Sequence, residues 1–126
     1  MDLLVCVINE PRKVDDILQA FLEIGVTGAT VVDSYGMGAL LVEDIPILAG
    51  FRSLLAGSSK YNKTIFSVVK DRKMAKRAVA AIEKICGDLE DPSTGIVFTV
   101  PVNFVKGLRP ELGAPEERDA ARDAGE

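Results

Sequence analysis

The sequence predicts an α+β fold in which two β-α-β units share one four-stranded sheet and lay both helices on the same face. Three observations carry this. Four short apolar runs alternate with two helical stripes, in the order β-α-β, an irregular insertion, then β-α-β. Each stripe ends at a glycine. The first and last runs are apolar at successive positions, as strands covered on both faces are.

Residues 3–8 (LLVCVI) form the first run, and Asn9-Glu10-Pro11 ends it. A helix follows with Pro11 near its start, where a missing N–H costs little. Val14, Ile17, Leu18, Phe21 and Leu22 recur at helical spacing and predict one apolar face. Gly25 suits the residue just past the helix end. The second strand is expected over residues 29–35 (ATVVDSY), and Gly36-Met37-Gly38 breaks it.

Residues 39–62 are the insertion. Pro46 opens a short apolar stretch over residues 46–55, where Ile47, Leu48, Phe51, Leu54 and Leu55 share one helical face. Residues 60–63 read as a polar lead into the third strand, residues 64–69 (TIFSVV). Asp71 is placed as the N-cap of the second helix. Ala75, Ala78, Val79, Ile82, Ile85 and Cys86 make its apolar face, and Gly87 caps its end. Residues 88–95 (DLEDPSTG) form a loop by composition. The fourth strand follows over residues 96–102, with Pro101 placing its far half at a sheet edge or out of the ladder.

This order is the split βαβ pattern of ferredoxin-like folds. In such a sheet the face away from the helices alternates to polar where it meets water. Here Leu3, Val5 and Val7 are as apolar as Leu4, Cys6 and Ile8, and Ile96 and Phe98 are matched by Val97 and Val100. A second subunit is the simplest cover for that face; the alternative is the insertion or the tail folding back over it.

Composition removes several function classes. The net charge is −4, which disfavours sequence-independent nucleic-acid binding. No histidine is present, so the commonest metal ligand and general base are both missing. Cys6 and Cys86 read as reduced, buried thiols rather than a metal pair. The N-terminus has no basic region ahead of its apolar run, and no run approaches the length of a membrane span. A soluble, cytoplasmic protein is therefore expected, without direct membrane insertion. Residues 1–108 are expected to form the domain, and residues 109–126 a flexible charged tail.

The resemblance sits in the first third. Asn9-Glu10-Pro11, the paired Asp15-Asp16, Ile24-Gly25-Val26-Thr27-Gly28-Ala29-Thr30, and Gly36-Met37-Gly38 together resemble the PII family of signalling proteins. The likeness extends more loosely over about residues 1–109, with Gly95 before the last apolar strand. It implies a homotrimer with its sheets facing inward and no resident cofactor or metal. It also implies nitrogen-linked regulation without catalysis, with effector clefts between subunits for ADP, AMP, ATP or a cyclic nucleotide. The insertion would be the T-loop, which engages a partner enzyme or transporter. Carried over by position, Gly28 and Thr30 would approach the adenine. Gly36, Met37 and Gly38 would open the T-loop near the ribose and phosphates. Gly95 would close the phosphate-wrapping B-loop, and Lys106 and Arg109 would supply the distal cations.

The chain also departs from that pattern. Ala39-Leu40 stands where a glutamine is usual, Ile96 where a B-loop lysine is usual, and Asp88, Glu90 and Asp91 make the B-loop acidic. These favour a nucleoside monophosphate or a simple anion over a triphosphate. Two other readings compete: a CutA-like trimeric metal-binding protein, weakened by the absent histidine, and an acylphosphatase-like enzyme, weakened by the absence of a glycine-rich cradle after the first strand.

Overall fold

The computed structural model describes residues 1–37 and 61–110. Gly38, the apolar stretch 46–55 and residues 111–126 lie outside the described residues. The elements are β1 (Asp2–Ile8), a single 3-10 turn (Pro11–Lys13), α1 (Val14–Ile24), β2 (Thr30–Tyr35), β3 (Tyr61–Val69), α2 (Arg72–Cys86) and β4 (Gly95–Pro101). The four strands form one antiparallel sheet in the order β2-β3-β1-β4. This is the ferredoxin-like arrangement that the element order predicts.

The register sorts every strand residue onto one of two faces. Leu4, Cys6 and Ile8 of β1 and Ile65 and Val69 of β3 face the helices and are fully buried. They pack with Val14, Ile17 and Phe21 of α1 and Ala75, Ala78 and Ile82 of α2 to form the core. Leu22 was expected on that apolar face but is 51% exposed. The buried line of α1 runs through Val14, Ile17, Phe21 and the margin residue Ile24, and Leu22 falls to its outer side. Gly25 ends α1 in the left-handed region at φ 105°, and the Val26 N–H donates back to the Phe21 carbonyl at 2.9 Å.

Asp71 caps α2: its carboxylate accepts from the Met74 N–H at 2.9 Å. Asp71→Ala should cost about 1 kcal/mol in urea unfolding, with Asp71→Ser restoring most of it. Equal losses in both variants would show that the cap is not the cause.

The β3 strand begins at Tyr61, three residues before its expected start, so Tyr61 and Asn62 belong to the sheet and not to the insertion. The polar lead pairs with β2 and its side chains are matched there. Lys63 pairs with Asp33 at 3.7 Å, the Tyr35 and Tyr61 rings sit 5.2 Å apart, and the Ser34 hydroxyl donates to the Asn62 side chain. Cross-strand pairing of this kind holds residues that composition assigns to a loop.

Cys6 and Cys86 are both free thiols. Burial, with Cys86 adding to it, pushes the Cys6 thiol up to about 12 from its ordinary 9.0. Cys86 is raised too, chiefly by burial. The folded state thus holds the Cys6 proton more tightly than the unfolded chain does. That contribution to stability is complete below about pH 9 and is lost toward pH 12, at up to about 1.4 kcal/mol per pH unit. Urea unfolding from about pH 8 to about pH 10.5 should show the decline, and Cys6→Ala should flatten it.

Candidate ligand cleft

The turn between α1 and β2 is built to hold a fixed backbone at Gly28. Ser67, buried on the helix side of β3, donates to the Gly28 carbonyl at 2.6 Å. Thr27 donates through Oγ1 to the Pro110 carbonyl at 2.8 Å, which ties the segment after β4 to the same turn. A Cβ added at Gly28 would meet nothing within 4 Å, so nothing among the described residues requires glycine there. Its openness leaves room for a ligand or a second chain to approach the backbone. Thr30 is exposed two residues on and pairs with Phe66, which sets it on the sheet face away from the helices.

Gly36 and Met37 follow the far end of β2, and Met37 is 74% exposed. The half-buried Ser34 and the buried Asn62 and Thr64 form a polar cluster just before them, the Ser34 and Thr64 hydroxyls 2.9 Å apart. Gly95 opens β4 beside Ile8. A Cβ there would lie 2.2 Å from the Val7 carbonyl oxygen, and φ is +147°. Strand packing alone therefore accounts for that glycine.

The loop before Gly95 is folded on its own carboxylates. Asp88 accepts from the Glu90 N–H at 2.9 Å, and Asp91 accepts from the Ser93 N–H at 2.9 Å and the Ser93 hydroxyl at 2.8 Å. These Ser93 bonds hold the Asp91 carboxyl below its ordinary range. Asn9 pins the loop to the end of β1 through the Ser93 carbonyl at 2.8 Å. Among the described residues, no three His, Cys, Asp or Glu side chains gather in a way that could hold a metal ion.

Lys106 and Arg109 are exposed and make no ion pair with any described residue. Arg109 precedes Pro110 and so lies by the α1–β2 turn.

The described candidates fall into separate places in one chain. Gly28, Thr30 and Arg109 are at one end of the sheet; Gly36, Met37 and Gly95 are at the other. Along β2 the two ends are about 17 Å apart. Gly36 and Gly95 share an end but flank opposite edges of the sheet, three strand spacings or about 14 Å apart.

Sequence reasoning missed Ser67 and the Ser34–Asn62–Thr64 cluster. The signal for Ser67 was present: a lone hydroxyl within the apolar run TIFSVV needs a partner once buried. The cluster had no such signal, because Asn62 read as loop.

A search of curated proteins finds no match to this chain. The family model described as nitrogen regulatory protein P-II matches residues 2–112. That span takes in every described element, and the sheet is the ferredoxin-like one that the element order predicts. The chain belongs to the nitrogen regulatory protein P-II family and is a PII-type regulatory signalling protein.

Proposed function

We propose that this chain is a non-enzymatic homotrimeric regulator. In this reading it binds a small effector between subunits and signals through the residues after Met37 to a partner enzyme or transporter. The observation that carries the reading is the sheet face away from the helices. By register it presents Leu3, Val5, Val7, Phe66 and Val68, and on β4 Ile96, Phe98 and Val100. Val100 thus joins Ile96 and Phe98 on this face; it does not back them from the other side as the sequence reading held. Ile96 is 57% and Phe98 46% exposed, so one chain leaves the β4 side of this face uncovered, while Val5 at its centre is buried. A contiguous apolar face of this kind marks an interface.

Covering it with further copies also addresses the scatter of the candidates. Gly36 and Gly95 flank opposite edges of one sheet, and a neighbouring copy can bring an edge of its own beside either. The effector class that fits is an adenine nucleotide with few phosphates, AMP or ADP before ATP, or a simple anion. The self-bonded acidic loop at residues 88–94 offers no cation to a long phosphate chain, and Lys106 and Arg109 are exposed cations at the positions that the resemblance assigns to the phosphates.

Light scattering on the eluting protein should give the mass of three chains. Thermal denaturation with AMP, ADP, ATP, cyclic nucleotides or bicarbonate at about 1 mM should raise Tm for a true effector. A ligand present at 100 times its Kd stabilises by about 2.7 kcal/mol. Lys106→Ala and Arg109→Ala should shrink the Tm rise without changing the Tm of the free protein. A monomer in solution, or no rise with any of these compounds, would defeat the proposal.

A further inference from the structure

We propose that residues 111–126 dock on the basic face of α2 in the same chain. The face itself is the first observation. Arg72, Lys73, Lys76, Arg77 and Lys84 are all exposed, and none makes an ion pair with a described residue. The one carboxylate within α2, Glu83, is engaged with the Leu89 N–H at 3.0 Å. Arg72 with Lys76, and Lys73 with Arg77, are like charges four residues apart, a spacing that destabilises an isolated helix. Arg72 and Lys73 also stand in the first turn, where the helix dipole disfavours cations. A helix that concentrates cations against both effects is suited to an anionic occupant.

The charge distribution of the chain is the second observation. Six of its 19 carboxylates and two of its 15 cations lie in residues 111–126. That leaves 13 of each in residues 1–110, so the whole net charge of −4 belongs to the last 16 residues. The face of α2 carries five cations against one acid, a net charge equal and opposite to that of the tail.

The exit point is the third. Antiparallel β1 and β3 feed α1 and α2, so the end of α1 lies beside the start of α2. Pro110 is held by Thr27, two residues past the end cap of α1. The tail therefore leaves the domain close to Arg72, Lys73, Lys76 and Arg77. Sixteen residues span at most about 55 Å extended, and α2 is about 22 Å long, so the tail reaches all five cations. Alongside them runs a groove of about 650 Å³ between the helices, where Arg77 and Lys84 of α2 face Asp16 and Glu23 of α1, so the anionic tail is expected along the outer cations Arg72, Lys73 and Lys76 more than in the groove itself. Tethering at Pro110 makes the contact intramolecular, with an effective concentration in the millimolar range.

The proposal does not depend on the effector reading. Its test is zero-length carbodiimide coupling of the full chain, which joins a carboxylate to a lysine amine only when the two touch. A mixture of unlabelled and ¹⁵N-labelled protein separates links within a chain from links between chains. At low salt, peptides from residues 111–126 should be linked to Lys73, Lys76 or Lys84 within one chain, and the yield should fall severalfold at about 0.5 M NaCl as the charges are screened. Heparin serves as a second probe. The full chain with E116Q, E117Q, D119N and D123N should bind it severalfold more tightly than the wild type, because the face is then uncovered. Tail links only to other lysines, or only between chains, would overturn the proposal. So would equal heparin affinity of the two proteins, which would mean that the face is open to an external polyanion.

Discussion

Phe98→Asp should separate the proposed trimer into single folded chains. Phe98 lies on β4 opposite Val5, on the face away from both helices, with Ile96 and Val100 on either side. It contributes nothing to the core, so the variant keeps its fold and its circular dichroism. In the proposed assembly the new carboxylate would be buried on a face of Leu3, Val5 and Val7. Truncation of a central aromatic at an interface costs about 2–4 kcal/mol, and burying an unpaired carboxylate adds to that. A 2.7 kcal/mol loss already weakens association about 100-fold. Light scattering at micromolar concentration should show one chain for the variant and more for the wild type. An assembled Phe98→Asp protein would place the interface elsewhere and would leave the apolar face needing another cover.

The second large effect is expected at Gly95→Ala, which should lower stability by about 3 kcal/mol. Two costs coincide there. The added methyl would sit 2.2 Å from the Val7 carbonyl oxygen, and backbone cannot swing aside as a flexible side chain can. The residue would also have to hold φ at +147°, which side chains other than glycine rarely adopt. Relief requires parting β4 from β1 at Ile8, which loosens the edge strand that carries Phe98. Urea unfolding measures the loss directly. An unchanged midpoint would mean that β4 reaches the sheet by another path. Gly28→Ala is the informative contrast: its Cβ meets nothing, so stability should hold, while effector binding should weaken if the ligand approaches that backbone.

Much of the fold was legible because its determinants are local. Val14, Ile17 and Phe21 mark a helix by spacing, Asp71 marks a start by its carboxylate, and Gly25 marks an end by its freedom at positive φ. The failures share one cause. Tyr61, Asn62 and Lys63 read as loop because their strand character comes from Tyr35, Ser34 and Asp33 across the ladder. Leu22 read as core because spacing gives the stripe but not how wide the partner surface is.

The candidate site was legible only as an inventory. The family resemblance named Gly28, Thr30, Gly36, Met37, Gly38, Gly95, Lys106 and Arg109 by position; composition and periodicity did not. Their separation by the sheet was not legible, nor was the need of Gly95 for the Val7 carbonyl, because both depend on register. The carboxylates of residues 88–91 could be counted from the sequence, but not that Asp88 and Asp91 spend their oxygens on the N–H groups of their own loop.

By itself, the sequence determined the fold class, the helix ends, the family likeness and the two-sided apolar character of β1. Each of these is a property of neighbours along the chain, where periodicity and capping act. Tertiary structure alone decided which apolar residues face outward together and which candidates share an end of the sheet. It also decided that Pro110 is held at the turn that follows α1. Those are properties of residues far apart in the chain, fixed only when strand register and the Thr27–Pro110 bond bring them side by side.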